Sequence, residues 1–91
     1  MKAYVIAFYQ EEISDKELVG FLDNQAEILN WRTEIPNTVF VVSDKGAQHI
    51  SELIGEEFPE SHFIVVEYVS YNANGLLEEE TWDFLNEPEE A

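Results

Sequence analysis

Hydrophobic positions along this chain change period several times, and each change marks an element. The opening stretch, KAYVIAFY from Lys2 to Tyr9, is β-branched and aromatic and stops at Gln10-Glu11-Glu12. Such a run predicts a strand buried on both faces. Ser14-Asp15-Lys16-Glu17 then reads as a capping box, with the serine hydroxyl accepting from the Glu17 amide and the Glu17 carboxylate reaching back. Leu18, Phe21 and Leu22 recur at helical spacing behind it. Two strand-like runs, AEILNWRT and TVFVVS, flank Glu34-Ile35-Pro36-Asn37, where proline presets a turn and asparagine tolerates its tight backbone.

Ser43-Asp44 is the expected cap of a second helix, with Ala47, Ile50, Leu53 and Ile54 as its apolar stripe and Gly55 and Pro59 as its stop. SHFIVVEYVS predicts a fourth strand, closed by a turn at Asn74-Gly75. A short helix from Leu77 to Asn86 would set Trp82 and Leu85 on the body, with Glu78, Glu79, Glu80 and Asp83 near its positive end. The order βαββαβ plus a terminal helix predicts a ferredoxin-like α+β fold, two helices on one face of an antiparallel sheet. The other sheet face needs a cover. A sheet-to-sheet homodimer is the simplest one, and the C-terminal segment is the alternative.

Composition sets the bounds. A chain of 91 residues makes one domain, over 1–86, and its 45% hydrophobic content is enough for a core. Residues 87–91 read as a short, free acidic tail. Without cysteine there is no disulfide or thiolate site, and no apolar run approaches the roughly 20 residues of a membrane helix. The expected location is cytoplasmic. Twenty acidic residues against four Lys and Arg leave a net charge of −16, which repels nucleic acid and anionic lipid and favours basic partners.

The residues in these elements also resemble a known family. Tyr4-Val5-Ile6, Trp31, Thr38 to Ser43, Ala47, Ile50, Leu53, Phe63 to Glu67, Asn74-Gly75-Leu76-Leu77 and Trp82-Asp83-Phe84-Leu85 together are similar to the small SinR-like proteins. Those resemble in turn the small nuclease subunit of CRISPR spacer acquisition. The resemblance implies a ferredoxin-like fold, dimeric through its sheets. In the nuclease branch it also implies an Asp at the end of the first strand for metal-dependent phosphodiester cleavage. Here that place is taken by Phe8-Tyr9-Gln10, so the metal lacks its expected ligand; Glu11 and Glu12 are the neighbours that would have to substitute.

Catalytic chemistry finds little else to stand on. His49-x-x-Glu52 shares a helical face and His62 opens a strand, but a closed zinc site wants four ligands, so no metal and no cofactor is expected. Ser14 and Ser43 read as caps, the remaining serines lack an elbow or base, and the glycines form no phosphate loop. No catalytic residue is assigned.

Charge is the feature that needs a function. A solubilising or halophilic surface is the plain alternative, although the only aspartates are Asp15, Asp23, Asp44 and Asp83 and large hydrophobes are plentiful. A chain of this length is about 30 Å across, and duplex DNA of that length carries on the order of 18 phosphate charges. The carboxylates expected on helical exteriors, and so to meet a partner, are Asp15, Glu17, Asp23, Asp44, Glu52, Glu56, Glu57, Glu78, Glu79, Glu80 and Asp83. The expected function is therefore a non-catalytic, homodimeric DNA mimic or inhibitor of antirestriction or anti-CRISPR type. It would occupy the basic site of a nucleic-acid-handling protein and not bind nucleic acid itself. A metal-dependent nuclease and an immunity or antitoxin-like partner of one basic protein are the alternatives.

Overall fold

Each strand-like run contributes to one four-stranded antiparallel sheet. The computed structural model describes residues 1–91. The elements are β1 (Lys2–Phe8), α1 (Asp15–Asp23), β2 (Asn30–Arg32), β3 (Thr38–Ser43), α2 (Ala47–Glu57), β4 (Phe63–Glu67) and α3 (Glu79–Asn86), with a single 3₁₀ turn at Ser70–Asn72. The sheet order is β2-β3-β1-β4, and every neighbouring pair is antiparallel. This is a small α+β fold measuring 33 × 24 × 22 Å. No helix is long and apolar enough to cross a membrane.

Alternation along the strands divides the core in two. Tyr4, Ile6 and Phe8 of β1 and Val39 and Val41 of β3 point to one face, where Leu18 and Leu22 of α1 and Ile50 and Ile54 of α2 bury against them. Ala3 and Phe40 point to the other face and meet Leu85 of α3, with Val5, Tyr68, Leu77 and Trp82 packed around. The C-terminal helix thus covers part of the second face. Ala7, Ile64 and Val66 on that face stay exposed, so β1 and β4 are buried on both sides only where α3 reaches.

The capping box of α1 forms as expected: Ser14 Oγ accepts from Glu17 N at 3.1 Å and Glu17 Oε1 accepts from Ser14 N at 3.3 Å. Asn37, expected to tolerate the tight backbone of the turn, takes the left-handed conformation with φ 62°. Several expectations are corrected. Ser43 does not cap α2, whose N-cap is Gly46; it is fully buried, donates to the Glu27 carbonyl at 2.6 Å and accepts from Lys45 N. Gly55 lies inside α2 and the helix runs on to Glu57, with Pro59 just beyond its cap. The run AEILNWRT supplies only the three-residue β2, because Ile28 turns into the core as part of a connection. Helix α3 starts at Glu79, since Leu77 is spent on packing ahead of it. Residues 87–91 are not free: Ala91 N donates to the Leu29 carbonyl at 2.9 Å and Asn30 Nδ2 to the Glu89 carbonyl at 3.2 Å, which fastens the tail at the start of β2.

Candidate functional site

Two arrangements of carboxylates emerge, one anchored and one open. The anchored one holds α3. Thr81, fully buried, donates its hydroxyl to Glu34 Oε1 and accepts from Arg32 Nε, both at 2.6 Å. The same Glu34 carboxylate accepts from Glu78 N at 3.1 and 3.2 Å, so a residue of the β2–β3 connection caps the N-terminus of α3. A carboxylate there meets unsatisfied amides and the positive end of the helix dipole. Arg32 Nη2 also lies 3.5 Å from Glu78 and 3.7 Å from Glu80. Glu78 and Glu80 are therefore held around one guanidinium, while Glu79 and Asp83 of the same segment are exposed with no basic partner.

The open arrangement lies where β1 ends and β4 begins. Phe8 pairs with Phe63, and Tyr9 N donates to the His62 carbonyl, which brings the β1–α1 and α2–β4 connections side by side. Glu12 ties them: its Oε1 accepts from His62 N at 3.0 Å and lies 2.8 Å from His62 Nδ1. Beside this link Glu12, Glu57, Phe58, Pro59, Glu60 and Ser61 line an open groove of about 490 Å³. Glu17 and Glu57 border an adjoining one between α1 and α2, floored by Phe21 and Phe58 packed edge to face. Glu11 accepts from the Tyr9 hydroxyl at 2.9 Å. That bond first, with burial and the charge of Glu12 after it, pushes the Tyr9 phenol above its usual range. No Lys or Arg lines either groove.

The carboxylates expected to form the partner surface divide accordingly. Glu17, Glu56 and Glu57 lie at this acidic end, with the half-buried Asp15 in the first turn of α1. Glu78, Glu79, Glu80 and Asp83 lie across the sheet on α3. The rest are elsewhere and occupied: Asp23 accepts from the Trp31 indole at 2.8 Å, Asp44 pairs with the N-terminal ammonium at 3.3 Å, and Glu52 accepts from Gln48 at 3.0 Å. Sequence reasoning missed Glu12 and Glu60 as members of the acidic end, and missed Arg32 and Glu34 as the anchor. Only the density of glutamates in QEE and EEFPES hinted at the former.

The residues considered for metal chemistry do not converge. His49 Nε2 lies 3.5 Å from Glu27, Glu52 accepts from Gln48, and His62 is engaged by Glu12. No group of three or more His, Asp or Glu is arranged to hold an ion. Glu11 and Glu12, the possible substitutes at the end of the first strand, each accept from a different neighbour. Comparison of the chain with protein-family models, curated proteins and solved structures gives no match.

Proposed function

We propose that this protein is a non-catalytic acidic inhibitor that occupies the basic surface of a nucleic-acid-handling protein. The observation that carries this reading is the open acidic end, where Glu12, Glu17, Glu57 and Glu60 crowd grooves that contain no cation. Placing Glu56 and Glu57 in the last turn of α2 is unfavourable for the helix, whose dipole is negative there. Charge set against local stability is what a surface selected for binding would carry. The scale agrees as well: a body 33 Å long with net charge −16 compares with about 19 phosphate charges on duplex DNA of equal length.

The strand order β2-β3-β1-β4 and the helix pair on one face support a ferredoxin-like assignment, and with it the likeness to the SinR-like proteins. Nothing in the likeness supplies a reaction, since the end of β1 carries no aspartate. The gathering of acids at one end also suits a partner that is a single basic protein of the toxin kind. Competition by DNA separates the two readings.

Immobilised protein should capture basic nucleic-acid-binding proteins from a cell lysate. They should be released as salt rises from about 50 to 200 mM, and also by a short DNA duplex at constant salt. Release by salt without release by DNA would leave the single-protein reading; retention indifferent to both would overturn the proposal.

A further inference from the structure

We infer that the outer edge of β4 takes up an extended basic segment of a partner protein as a fifth strand of the sheet. The sheet has two edges, β2 and β4. The tail meets the first at its start, where Ala91 N donates to the Leu29 carbonyl and Asn30 Nδ2 to the Glu89 carbonyl. The second is open. Tyr68 N donates to the Ala3 carbonyl and Tyr9 N to the His62 carbonyl, so even-numbered positions turn toward β1. By the alternation of an antiparallel ladder, the N–H and C=O groups of Phe63, Val65 and Glu67 point outward. They form a row to which another strand can bond.

The surface beside that row is apolar. Ile64 and Val66 are 59% and 48% exposed and share the sheet face of Ala7 and Val5, their partners on β1. Proteins usually blunt such an edge with lysine, proline or a bulge. Phe63-Ile64-Val65-Val66 has none of these. What guards it from self-pairing is the charge of the whole: a second copy would bring −16 against −16. The same field attracts a basic strand. Its alternate apolar side chains would cover Ile64 and Val66, and its Lys or Arg residues, at the end beside Phe63, would reach Glu12 and Glu60. The choice of a basic occupant rests on the acidic-partner reading above, whereas the open edge does not.

The test uses the full chain labelled with ¹⁵N and a synthetic peptide of alternating valine and threonine ending in Lys-Arg-Lys. A scrambled peptide of equal composition and one N-methylated on alternate backbone amides serve as controls. The amides of Phe63, Val65 and Glu67 should gain hydrogen-exchange protection when the alternating peptide binds. N-methylation or scrambling should weaken binding roughly tenfold or more. Val65→Pro, which deletes an outward N–H and spares the β1 ladder, should act the same way. Binding that ignores backbone methylation and perturbs only the groove of Glu12 and Glu57 would overturn the edge proposal and leave the acidic reading intact. No binding of any basic peptide at low salt would overturn both. Protection of the three amides without peptide, accompanied by dimer formation in sedimentation, would replace the basic strand with a second copy.

Discussion

The Tyr4 hydroxyl donates to the Lys45 carbonyl at 2.6 Å, joining the middle of β1 to the turn that leads into α2. The side chain is almost wholly buried, and that burial, with the charge of Glu67 added and that of Lys2 opposing, raises its phenol above the ordinary value of 10.0. The sign of the pH effect follows. The folded state holds the neutral phenol more tightly than the unfolded chain does, so this contribution is complete below pH 10 and is lost as pH rises through the folded value. Tyr4→Phe should cost about 1 kcal/mol near pH 7, the worth of one hydrogen bond. It should also flatten the alkaline fall in melting temperature, as thermal unfolding from pH 7 to pH 11 would read. An alkaline limb as steep as that of the parent protein would show that other groups set it. Sequence identified Tyr4 as a strand aromatic but not its bond, because Lys45 is 41 residues away. Ser43 misled for a related reason: a serine before a helix looks like a cap, and here burial turned its hydroxyl to the Glu27 carbonyl instead.

Helix α3 is the element whose docking decides what the second sheet face offers. It has eight residues, too few to be stable alone, so its order depends on Leu85 packed against Ala3 and Phe40 and on the bonds at its start. Thr81→Val keeps the shape and removes the hydroxyl that joins Arg32 to Glu34, leaving the half-buried Arg32 Nε without its acceptor and Glu34 Oε1 with the Glu78 amide alone. A loss of about 1–3 kcal/mol is expected in urea unfolding, with Thr81→Ser recovering most of it. Amide exchange along α3 should quicken in the valine variant. Exchange and stability matching the parent protein would mean that Leu85 and Trp82 hold the helix unaided. Strands β1 and β3, the first helix and the helix-facing core were legible because their signals are local: an unbroken β-branched run, a period of three to four, a capping box. Even the terminal helix and its apolar face were visible in Trp82 and Leu85. What caps it was not, since Glu34 acts on Glu78 across 44 residues and no spacing rule links them. The acidic end was half legible: Glu17, Glu56 and Glu57 stood on predicted helices, whereas Glu12 and Glu60 sat in connections that only the pairing of β1 with β4 brings together.

At the scale of the whole molecule, charge acts as one field only while the solvent lets it. The screening length is about 30 Å at 0.01 M salt and about 3 Å at 1 M, and the protein measures 33 Å along its greatest extent. In dilute buffer, therefore, carboxylates on α3 repel those on α1 and α2 across the sheet, and in strong salt they do not. Added sodium chloride should raise the melting temperature over that range. Replacing Glu12, Glu57 and Glu60 together with glutamine changes the charge from −16 by three, to −13. The replacement removes repulsion at the acidic end, whose grooves no Lys or Arg lines, although Glu12 also gives up its pairing with His62. Glu57→Gln alone, relieving the end of α2, should contribute about 0.3–1 kcal/mol. The triple variant should melt above the parent protein in dilute buffer, gain less from salt, and bind basic partners more weakly. A stabilising change that damages binding is the signature of charge kept for recognition at a cost to the fold. If the triple variant gained stability and still captured the same proteins with the same salt dependence, the acidic end would be no more than a solvated surface, and the partner would have to be sought along α3 or the β4 edge.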